Sequence, residues 1–335
     1  MAQPPREVSI DLPALLQQWG PRDSRPLIEA IEKKRGGTKL LCLVYNDAPP
    51  VPTILAPPML HPMATILSHL GRVPKLDVFL RSTGGITEVP WRVVSLLREF
   101  TEELGVIVPS IALSGATHIA IAADDLVMTP FSVLGSVDPT RNHPLLPKDA
   151  DGKPIPTSVQ DLKHCIQFIR EQLGESYPNQ NLALVISELF KYINPLAIGA
   201  LEQSYSLARL ITRKVLRTRR AAPSEEQIKK IEELLAGQYF SHGFPISRSE
   251  VESDLGLSVT KPDEELCDLI WKLEAYYTEE FKRVIRAAPP NAEPTFRVGA
   301  FMQTTRDAWV VGQLAKENQF LGDAWLEVPA ERMKP

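Results

Sequence analysis

The chain is poor in cysteine, close to balanced in charge, and without an unbroken apolar segment of membrane-spanning length. Its 335 residues include three cysteines, Cys42, Cys165 and Cys267, which are far apart and form no C-x-x-C pair. This spacing predicts unpaired, buried thiols in a reducing compartment, and it argues against a disulfide framework or a cysteine metal site. The formal net charge of −4 argues against a dedicated nucleic-acid binder.

Signals for membranes and cofactors are also missing. The segment Met1–Gly20 has no basic region followed by an apolar core, so we expect no secretory signal. The run between residues 106 and 123 carries no acidic or basic residue other than a histidine, but Pro109, Ser114 and Gly115 interrupt it, which predicts a strand, a turn and a buried helix. No nucleotide fingerprint or pyridoxal lysine motif is present. We therefore expect a cytoplasmic protein with no integral membrane segment, no metal and no cofactor.

The composition and the order of predicted elements favour an α/β fold. With 44% hydrophobic and 23% charged residues, the chain can bury a sizeable core. Apolar runs without alternation, such as Lys39–Tyr45, are typical of parallel strands buried on both faces. Alternating strands and helices predict repeated β-α-β units. We expect an N-terminal extension over residues 1–23, the α/β domain over 24–260, and an appended helix with short strands over 261–335.

Several helix boundaries are marked by capping residues. Serine or asparagine at a helix start, followed by an acid or amide at the third helical position or by an N1 proline, predicts where helices begin. A helix is also predicted from about Thr87 to Leu104. The predicted caps are Ser158, Asn194, Ser224 and Ser247.

The segment from Leu76 to Ala116 carries the residues suited to catalysis. An apolar strand, Leu76–Leu80, is followed by Ser82-Thr83-Gly84-Gly85, and a second strand leads to Ser114-Gly115 before an alanine-rich helix. A glycine pair after a buried strand leaves backbone N–H groups unshielded, because no Cβ covers them. A serine at the start of a helix has its hydroxyl beside the positive end of that helix. Together these features supply a nucleophile and oxyanion donors, the two requirements of acyl-transfer catalysis.

The order of the motifs resembles the Clp protease and signal peptide peptidase A superfamily, and within it the serine dehydrogenase proteinase family. S-x-G-G alone is common, but five motifs in one order, over roughly residues 25 to 260, are a specific signal. One departure is Thr83, where relatives often have proline. The five motifs are Ile31–Gly36, Ser82–Gly85, Ser114–Thr117, Val133–Pro139 and Ser241–Ile246.

The resemblance implies a fold, an activity and a set of site residues. The implied fold is the ClpP/crotonase-like spiral of β-α-β units with a helical C-terminal part. The implied activity is that of a serine peptidase, which cleaves a peptide or protein substrate through an acyl-enzyme on Ser114. The oxyanion hole would comprise backbone amides of Gly84, Gly85 and Gly115. Because members of the superfamily form rings or other oligomers, we also expect a homo-oligomer.

The sequence leaves the general base open. Clp proteases use a histidine before a proline, at a position that matches Val137 or Asp138, and neither is histidine. Signal peptide peptidases use a lysine some tens of residues after the serine, which implies Lys153 or Lys163. A lysine base requires burial that lowers its pKa. His242, in the Ser-His-Gly-Phe-Pro-Ile motif, is a third candidate, as base or orienter, although we expect an ATP-independent Ser/Lys dyad rather than a Ser/His/Asp triad.

Two further features receive structural interpretations. His118 follows Ser114 by one helical turn, and we expect it in a core or an interface rather than in catalysis. Arginines repeat at helical spacing between residues 209 and 220. They predict a solvated face or ion pairs between subunits, because no aromatic or nucleic-acid motif accompanies them.

Two other functions are compatible with these residues. A non-catalytic scaffold or assembly subunit would keep the fold but lack a competent base near Ser114. An acyl-CoA enzyme of the crotonase type would use the same pair of backbone amides, although the Ser114-Gly115-Ala116 turn argues against it. The position of the base distinguishes the peptidase from the scaffold.

Overall fold

The computed structural model describes residues 24–48, 53–140, 143–173, 179–239, 241, 243–286, 295–316 and 319–329. The strands are β1 (Lys39–Tyr45), β2 (Val73–Arg81), β3 (Thr101–Val108), β4 (Ile111–Ala112), β5 (Asp125–Met128), β6 (Val133–Gly135), β7 (Pro245–Ser247), β8 (Val259–Thr260), β9 (Ile285–Arg286), β10 (Thr295–Gln303), β11 (Ala308–Lys316) and β12 (Gln319–Glu327). The helices are α1 (Arg25–Lys34), α2 (Leu60–Leu70), α3 (Val89–Phe100), α4 (Gly115–Ile121), α5 (Val159–Leu173), α6 (Asn179–Tyr192), α7 (Pro195–Arg217), α8 (Glu225–Glu233), α9 (Arg248–Ser253) and α10 (Glu264–Lys282). A 3₁₀ turn, Pro57–Met59, precedes α2, and a π-helical turn, Leu234–Gln238, follows α8.

A large mixed sheet organises the molecule. Its strand order is β12-β11-β10-β1-β2-β3-β5-β8, with β9 paired to β10. Neighbours from β1 to β8 run parallel, whereas β10, β11 and β12 are joined antiparallel at the β1 edge. A small second sheet has the order β4-β6-β7. The predicted α/β fold class is confirmed.

The sheet is buried on both faces, as the unalternating apolar runs predict. In β1, Leu41 and Leu43 belong to one core cluster, while Leu40 and Cys42 belong to the cluster on the other side. Because successive strand residues point to opposite faces, a strand between two cores must be apolar throughout. The bounds of β1, Lys39–Tyr45, are those predicted from its apolar run.

Successive units of the fold repeat one path. Each parallel strand from β1 to β3 leaves the large sheet, contributes a short segment to a second layer and then enters a helix. In that layer Leu55 bridges Gly85, Ser82 bridges Ala112, and β4 pairs with β6. The path is a spiral of β-α-β units, and it places the segments after β1, β2 and β3 side by side at the carboxyl ends of the parallel strands, where α/β proteins commonly bind ligands.

The C-terminal residues contribute long strands and not only short ones. Residues 300–303 of the nine-residue strand β10 pair with β1, so β10 extends the large sheet. Helix α10 packs Ile270, Leu273 and Tyr277 into the core cluster that contains Leu40 and Cys42. The sequence patterns predict a strand over Thr295–Met302, which matches β10 to within one residue, and a strand over Ala308–Val311 that is shorter than β11. They do not predict β12. The division of the chain at residue 260 stays a prediction.

Helix boundaries agree with the sequence where a cap defines them. The side chains of Asn194, Ser224 and Ser247 each accept a backbone hydrogen bond at the start of their helices. The predicted helix that should continue to Leu104 instead ends at Phe100, because residues from Thr101 onward pair with β2. Pairing between distant strands overrides the local helical pattern there.

The cysteine expectation is correct in part. Cys42 and Cys267 are buried free thiols, but the free thiol of Cys165 is exposed on α5. Burial raises the pKa of the Cys42 thiol to about 12, so it behaves as a small apolar side chain. Within the described ranges, no helix combines the length and apolar character that crossing a bilayer requires.

The arginine repeat forms ion pairs within the chain. On α7, Arg213 pairs with Glu232 at 2.7 Å, and Arg217 pairs with Glu225 at 2.7 Å. Glu232 is fully buried, and Arg209 also approaches it, at 3.5 Å. The repeat therefore joins α7 to α8, a role that the sequence interpretation did not include.

Candidate active site

Ser114 joins β4 to α4 in a sharp turn with φ 51° and ψ −120°. Among the described residues, no other non-glycine residue has a positive φ. Such a conformation costs on the order of 1–3 kcal/mol and persists only where surrounding contacts enforce it. Thr117 supplies such contacts, since its Oγ1 lies 2.8 Å from the carbonyl oxygens of both Ala112 and Gly135. The side chain of Ser114 is half-buried, and a strained strand-to-helix turn of this kind is how α/β-hydrolases expose a nucleophile.

The strain at Ser114 gives a stability prediction. The free energy of unfolding of Ser114→Gly is expected to be about 1 kcal/mol higher than that of Ser114→Ala, because glycine adopts this φ without a Cβ clash. Both variants lack the hydroxyl, so their difference isolates the backbone conformation. Urea denaturation of the two proteins measures it. Equal midpoints would show that the turn is not strained in solution.

The glycine pair after β2 touches the nucleophile turn directly. Gly84 has φ 102°, and its N–H donates to the Ser82 Oγ at 3.0 Å. A Cβ placed on Gly84 would lie 2.8 Å from the Gly115 nitrogen, the Leu113 oxygen and the Ser114 Cβ. Real Cβ atoms do not approach other atoms this closely, so the two turns come together only because residue 84 is glycine.

Two backbone amides at this contact are available for an oxyanion. The Gly84 amide is occupied by Ser82, whereas the Gly85 and Gly115 amides donate no hydrogen bond within the described part of the chain. A Cβ on Gly115 would lie 3.5 Å from the Gly85 nitrogen, so the two nitrogens are at most about 6 Å apart. An oxygen held by two donors at about 2.7–3.1 Å fits between nitrogens at that separation. The candidate oxyanion donors are therefore the Gly85 and Gly115 amides. Gly84 lets the two turns approach each other because it has no side chain.

Leu55 fixes the orientation of the glycine pair. Its N–H donates to the Gly84 carbonyl at 2.8 Å, and its carbonyl accepts from the Ile86 N–H at 2.9 Å. These two bonds hold the peptide planes on both sides of Gly85. The direction of the Gly85 N–H is therefore set by the chain segment that follows β1.

An open groove of about 720 Å³ runs beside Gly85. Ile54 and Ile86 line it with exposed apolar side chains. Exposed apolar side chains beside polar donors are typical of a binding groove. The other residues that line the groove are Thr87, Glu88, Pro139, Thr140, Gln203, Ser204 and Leu207.

The described residues do not bring either predicted lysine base into hydrogen-bond contact with Ser114. Lys153 is exposed in a turn, where its backbone N–H donates to an oxygen of Asp149 at 2.9 Å. Lys163 is exposed too, and its Nζ lies 4.2 Å from the centre of the Tyr205 ring. The sequence leaves open a buried Lys163 stem with its amine in a cleft, whereas the structure places that amine over the tyrosine ring. His242 lies outside the described residues.

His118 points away from the nucleophile and into the interface with α7. Its Nε2 lies 3.0 Å from the Thr212 hydroxyl and 3.2 Å from the Ala208 carbonyl oxygen. Burial lowers the pKa of His118 from 6.5 to about 4. Its Nδ1 is also buried and has no partner among the described residues, so a second proton would have no acceptor. The predicted core position of His118 is what the structure shows.

The neutral state of His118 predicts a loss of stability in acid. Since the unfolded histidine takes up a proton below about pH 6.5 and the folded one only near pH 4, stability falls as the pH drops through that interval. The full difference corresponds to about 3 kcal/mol. Urea denaturation at pH 7.5 and pH 4.5, on the wild type and on His118→Gln, measures the contribution. An identical pH dependence in both proteins would contradict it.

A polar cavity of about 200 Å³ lies next to the groove, and Thr140 lines both. His164 and Asp138 are among its lining residues. The sequence interpretation considered Lys163 but overlooked the neighbouring histidine. The spacing of Asp161 and His164, which puts both on one helix face, is a signal that could have identified it.

Comparisons with known proteins show what the segment that carries the candidate site is similar to. Residues 66–146 match the model of the ClpP-like SDH-type serine proteinase family. An uncharacterized protein of Methanocaldococcus jannaschii is 27% identical over 211 residues, which cover 61% of this chain and 62% of that protein. A second uncharacterized protein of that organism is 28% identical over 120 residues, which cover 33% of this chain and 40% of that protein. The matched part is thus under two thirds of the length of either relative.

Two solved structures of proteases are also similar to this chain at low sequence identity. A variant of ClpP1 from Listeria monocytogenes has a TM-score of 0.37 at 13% identity, over 70% of this chain and 99% of that chain. The 1510-N membrane-bound stomatin-specific protease, in complex with a substrate peptide, has a TM-score of 0.34 at 12% identity, over 70% of this chain and 77% of that chain.

The family match contains both the Gly84–Gly85 turn and Ser114. Residues 66–146 therefore carry the signature of a ClpP-like SDH-type serine proteinase, as the order of the motifs predicted.

Proposed function

We propose that this chain is a serine peptidase of the Clp protease and signal peptide peptidase A superfamily, which acts through an acyl-enzyme on Ser114. One observation carries the proposal: the strained turn at Ser114 lies against the Gly84–Gly85 turn. The turn that carries the Ser114 hydroxyl and the two unoccupied amides therefore lie at one edge of the sheet. This is the combination that acyl transfer requires.

The proposed reaction has two steps. The Ser114 Oγ attacks the scissile carbonyl carbon and gives its proton to the base, while the carbonyl oxygen accepts hydrogen bonds from Gly85 and Gly115. The C–N bond then breaks, and the base returns the proton to the leaving amine. In the second step, water attacks the ester and restores the Ser114 hydroxyl. Each oxyanion donor of this type contributes about 10²–10³-fold to the rate.

The base is proposed to come from beyond the family-matched segment. Lys153, Lys163 and His242 remain candidates, and the cavity beside the groove adds His164. A lysine at either position would have to leave the surface before it could act as a neutral amine. Histidine is the side chain that most often serves as a general base, which favours including His164.

A non-catalytic scaffold is the second candidate. The exposure of Lys153 and Lys163 favours it, because a serine without a nearby base is a poor nucleophile. The acyl-CoA enzyme is a weaker alternative, since the strained serine turn has no role in a reaction that uses only the two amides.

Substrate, assembly and compartment are part of the proposal. The groove beside Gly85 suits an extended peptide or protein segment. Large apolar side chains on α5, α6 and α7 are exposed, which supports self-association through this helical surface. We propose a cytoplasmic homo-oligomer. Among these side chains Phe168 is 61% exposed, Tyr192 76% and Leu196 73%.

Covalent labelling tests the proposal. The intact chain is treated with a fluorophosphonate, and the modified peptide is identified by mass spectrometry. We expect one adduct, on Ser114, and slower labelling when the residue that serves as base is replaced. The four replacements are Lys153→Met, Lys163→Met, His164→Gln and His242→Gln. Absence of any adduct on the wild type would favour the scaffold.

A further inference from the structure

The three segments that build the candidate site are all tied to residues from the C-terminal part of the chain. The segments follow β1, β2 and β3, and they contain Leu55, the Gly84–Gly85 turn and Ser114. The residues that hold them lie on α10 and β10, well outside the family-matched range 66–146. The contacts are polar and specific, and each of them can be tested.

Glu274, on α10, contacts two of the three segments. The Ser110 hydroxyl, four residues before Ser114, donates a hydrogen bond to its Oε1. The same oxygen lies 3.6 Å from the Nε of Arg81, which directly precedes the Ser82–Gly85 turn. The side chains of Glu274 and Arg81 are only 16% and 11% exposed. The Glu274 carboxylate therefore links the end of β2 to the end of β3.

Arg81 extends this link to the segment after β1. Its guanidinium donates to Asp47 at 2.6 Å and to the Thr278 hydroxyl, also on α10, at 3.2 Å. Asp47 begins the segment that leads to Leu55, whose backbone orients Gly85. Arg81 thus connects α10 to the segment after β1 and to the segment after β2.

Strand β10 holds the same first segment at a second point. The Gly299 carbonyl accepts hydrogen bonds from the Asn46 N–H, at 2.8 Å, and from the Thr53 hydroxyl. The ladder of β10 shifts register between Val298 and Ala300. Such an irregularity frees a carbonyl from strand pairing, and here that carbonyl supports the segment two residues before Leu55.

We propose that Glu274 is a positioning residue, which keeps the oxyanion turn and the nucleophile turn in register by holding Arg81 and Ser110 together. This inference rests on the proposed function, because register matters only if the two turns act on one substrate. It also gives the C-terminal residues a purpose: they complete the support of the site. A displacement of about 1 Å in such a geometry costs on the order of 10²-fold in rate.

The chemistry of Glu274 is consistent with positioning rather than packing. Burial raises the pKa of its carboxyl group, while the Ser110 hydroxyl and the Arg81 charge lower it, and nearby Asp47 raises it. A buried carboxylate is costly, and an apolar residue would fill the same space at lower cost. What an apolar residue lacks is the ability to bind a hydroxyl and a guanidinium at once.

Two variants of Glu274 and one control test the proposal. Glu274→Gln keeps an acceptor for Ser110 but removes the charge opposite Arg81, and Glu274→Ala removes both. Asp268→Asn makes the same charge change on the same helix at an exposed position, where the carboxylate pairs with Lys272. The fluorophosphonate labelling rate of Ser114 should fall about 10–100-fold in Glu274→Ala, less in Glu274→Gln, and not in Asp268→Asn.

Amide hydrogen exchange provides a readout that needs no catalysis. In folded Glu274→Ala, peptides covering Ser82–Ile86 and Ile111–Gly115 should exchange faster than in the wild type, and peptides of β5 should not. If the wild type is not labelled at all, the peptidase proposal fails, and exchange alone decides this inference. The inference is overturned if the exchange rates in Glu274→Ala equal those of the wild type. It is also overturned if exchange is faster but both Glu274 variants are labelled at the wild-type rate. If Glu274→Ala does not fold, the labelling rate of Glu274→Gln relative to Asp268→Asn decides in the same way.

Discussion

Replacing Ser114 by alanine is expected to abolish covalent labelling by a fluorophosphonate and to lower hydrolysis of casein by at least about 10³-fold. The reason is chemical, because the acyl-enzyme forms on the Ser114 oxygen and alanine has no atom that can replace it. The fold should persist, since alanine keeps the backbone conformation at the same strain. Intact-protein mass spectrometry and circular dichroism measure the two expectations.

A matched control is available on α2. Ser68 is an exposed helical serine whose hydroxyl bonds to the Ala64 carbonyl at 2.7 Å. Ser68→Ala should label at the wild-type rate. Labelling of Ser114→Ala to the extent of the wild type would place the reactive serine elsewhere and remove the proposed nucleophile.

The second large effect is expected for Gly84→Ala. Its Cβ would meet the Gly115 nitrogen, the Leu113 oxygen and the Ser114 Cβ at 2.8 Å, and its φ of 102° is unfavourable for any residue with a side chain. The two turns must then separate, which misplaces the nucleophile relative to the Gly85 amide. We expect a loss of about 3 kcal/mol in stability, from overpacking and strain together, and about 10²-fold slower labelling.

Gly71→Ala is a control that separates the cost of a positive φ from the effect of a steric clash between the two turns. Gly71 also has a positive φ, of 71°, but a Cβ there would meet nothing within 4 Å. This variant should lose about 1 kcal/mol and label like the wild type. If Gly84→Ala labels as fast as Gly71→Ala, the close approach of the two turns has no role in catalysis. Thermal unfolding and labelling rates on the three proteins are sufficient.

Much of the fold follows from local sequence patterns. The unbroken apolar run of β1 and the caps at Asn194, Ser224 and Ser247 predict elements that the structure contains, because burial on two faces and capping are encoded by neighbouring residues. The pairing of β10 with β1 depends on contacts between residues more than 250 positions apart. Local patterns carry no information about such pairing, which is why the sequence predicts a strand at β10 but not its place beside β1.

The candidate site shows the same limit. The motifs identify Ser114 and the glycines, and the structure brings these residues together, while their roles stay predictions. The sequence does not reveal that the Ser82 hydroxyl occupies the Gly84 amide. It also does not reveal that Lys163 lies over Tyr205, because the direction of a lysine on an amphipathic helix depends on which neighbour covers it. The support from Glu274 involves a helix that no site motif includes.

A structure of the fluorophosphonate adduct tests the central claim most directly. The account predicts a phosphorus atom bonded to the Ser114 oxygen, with the phosphoryl oxygen within about 3 Å of both the Gly85 and the Gly115 nitrogens. A phosphoryl oxygen that points to solvent, with neither amide in contact, would contradict it.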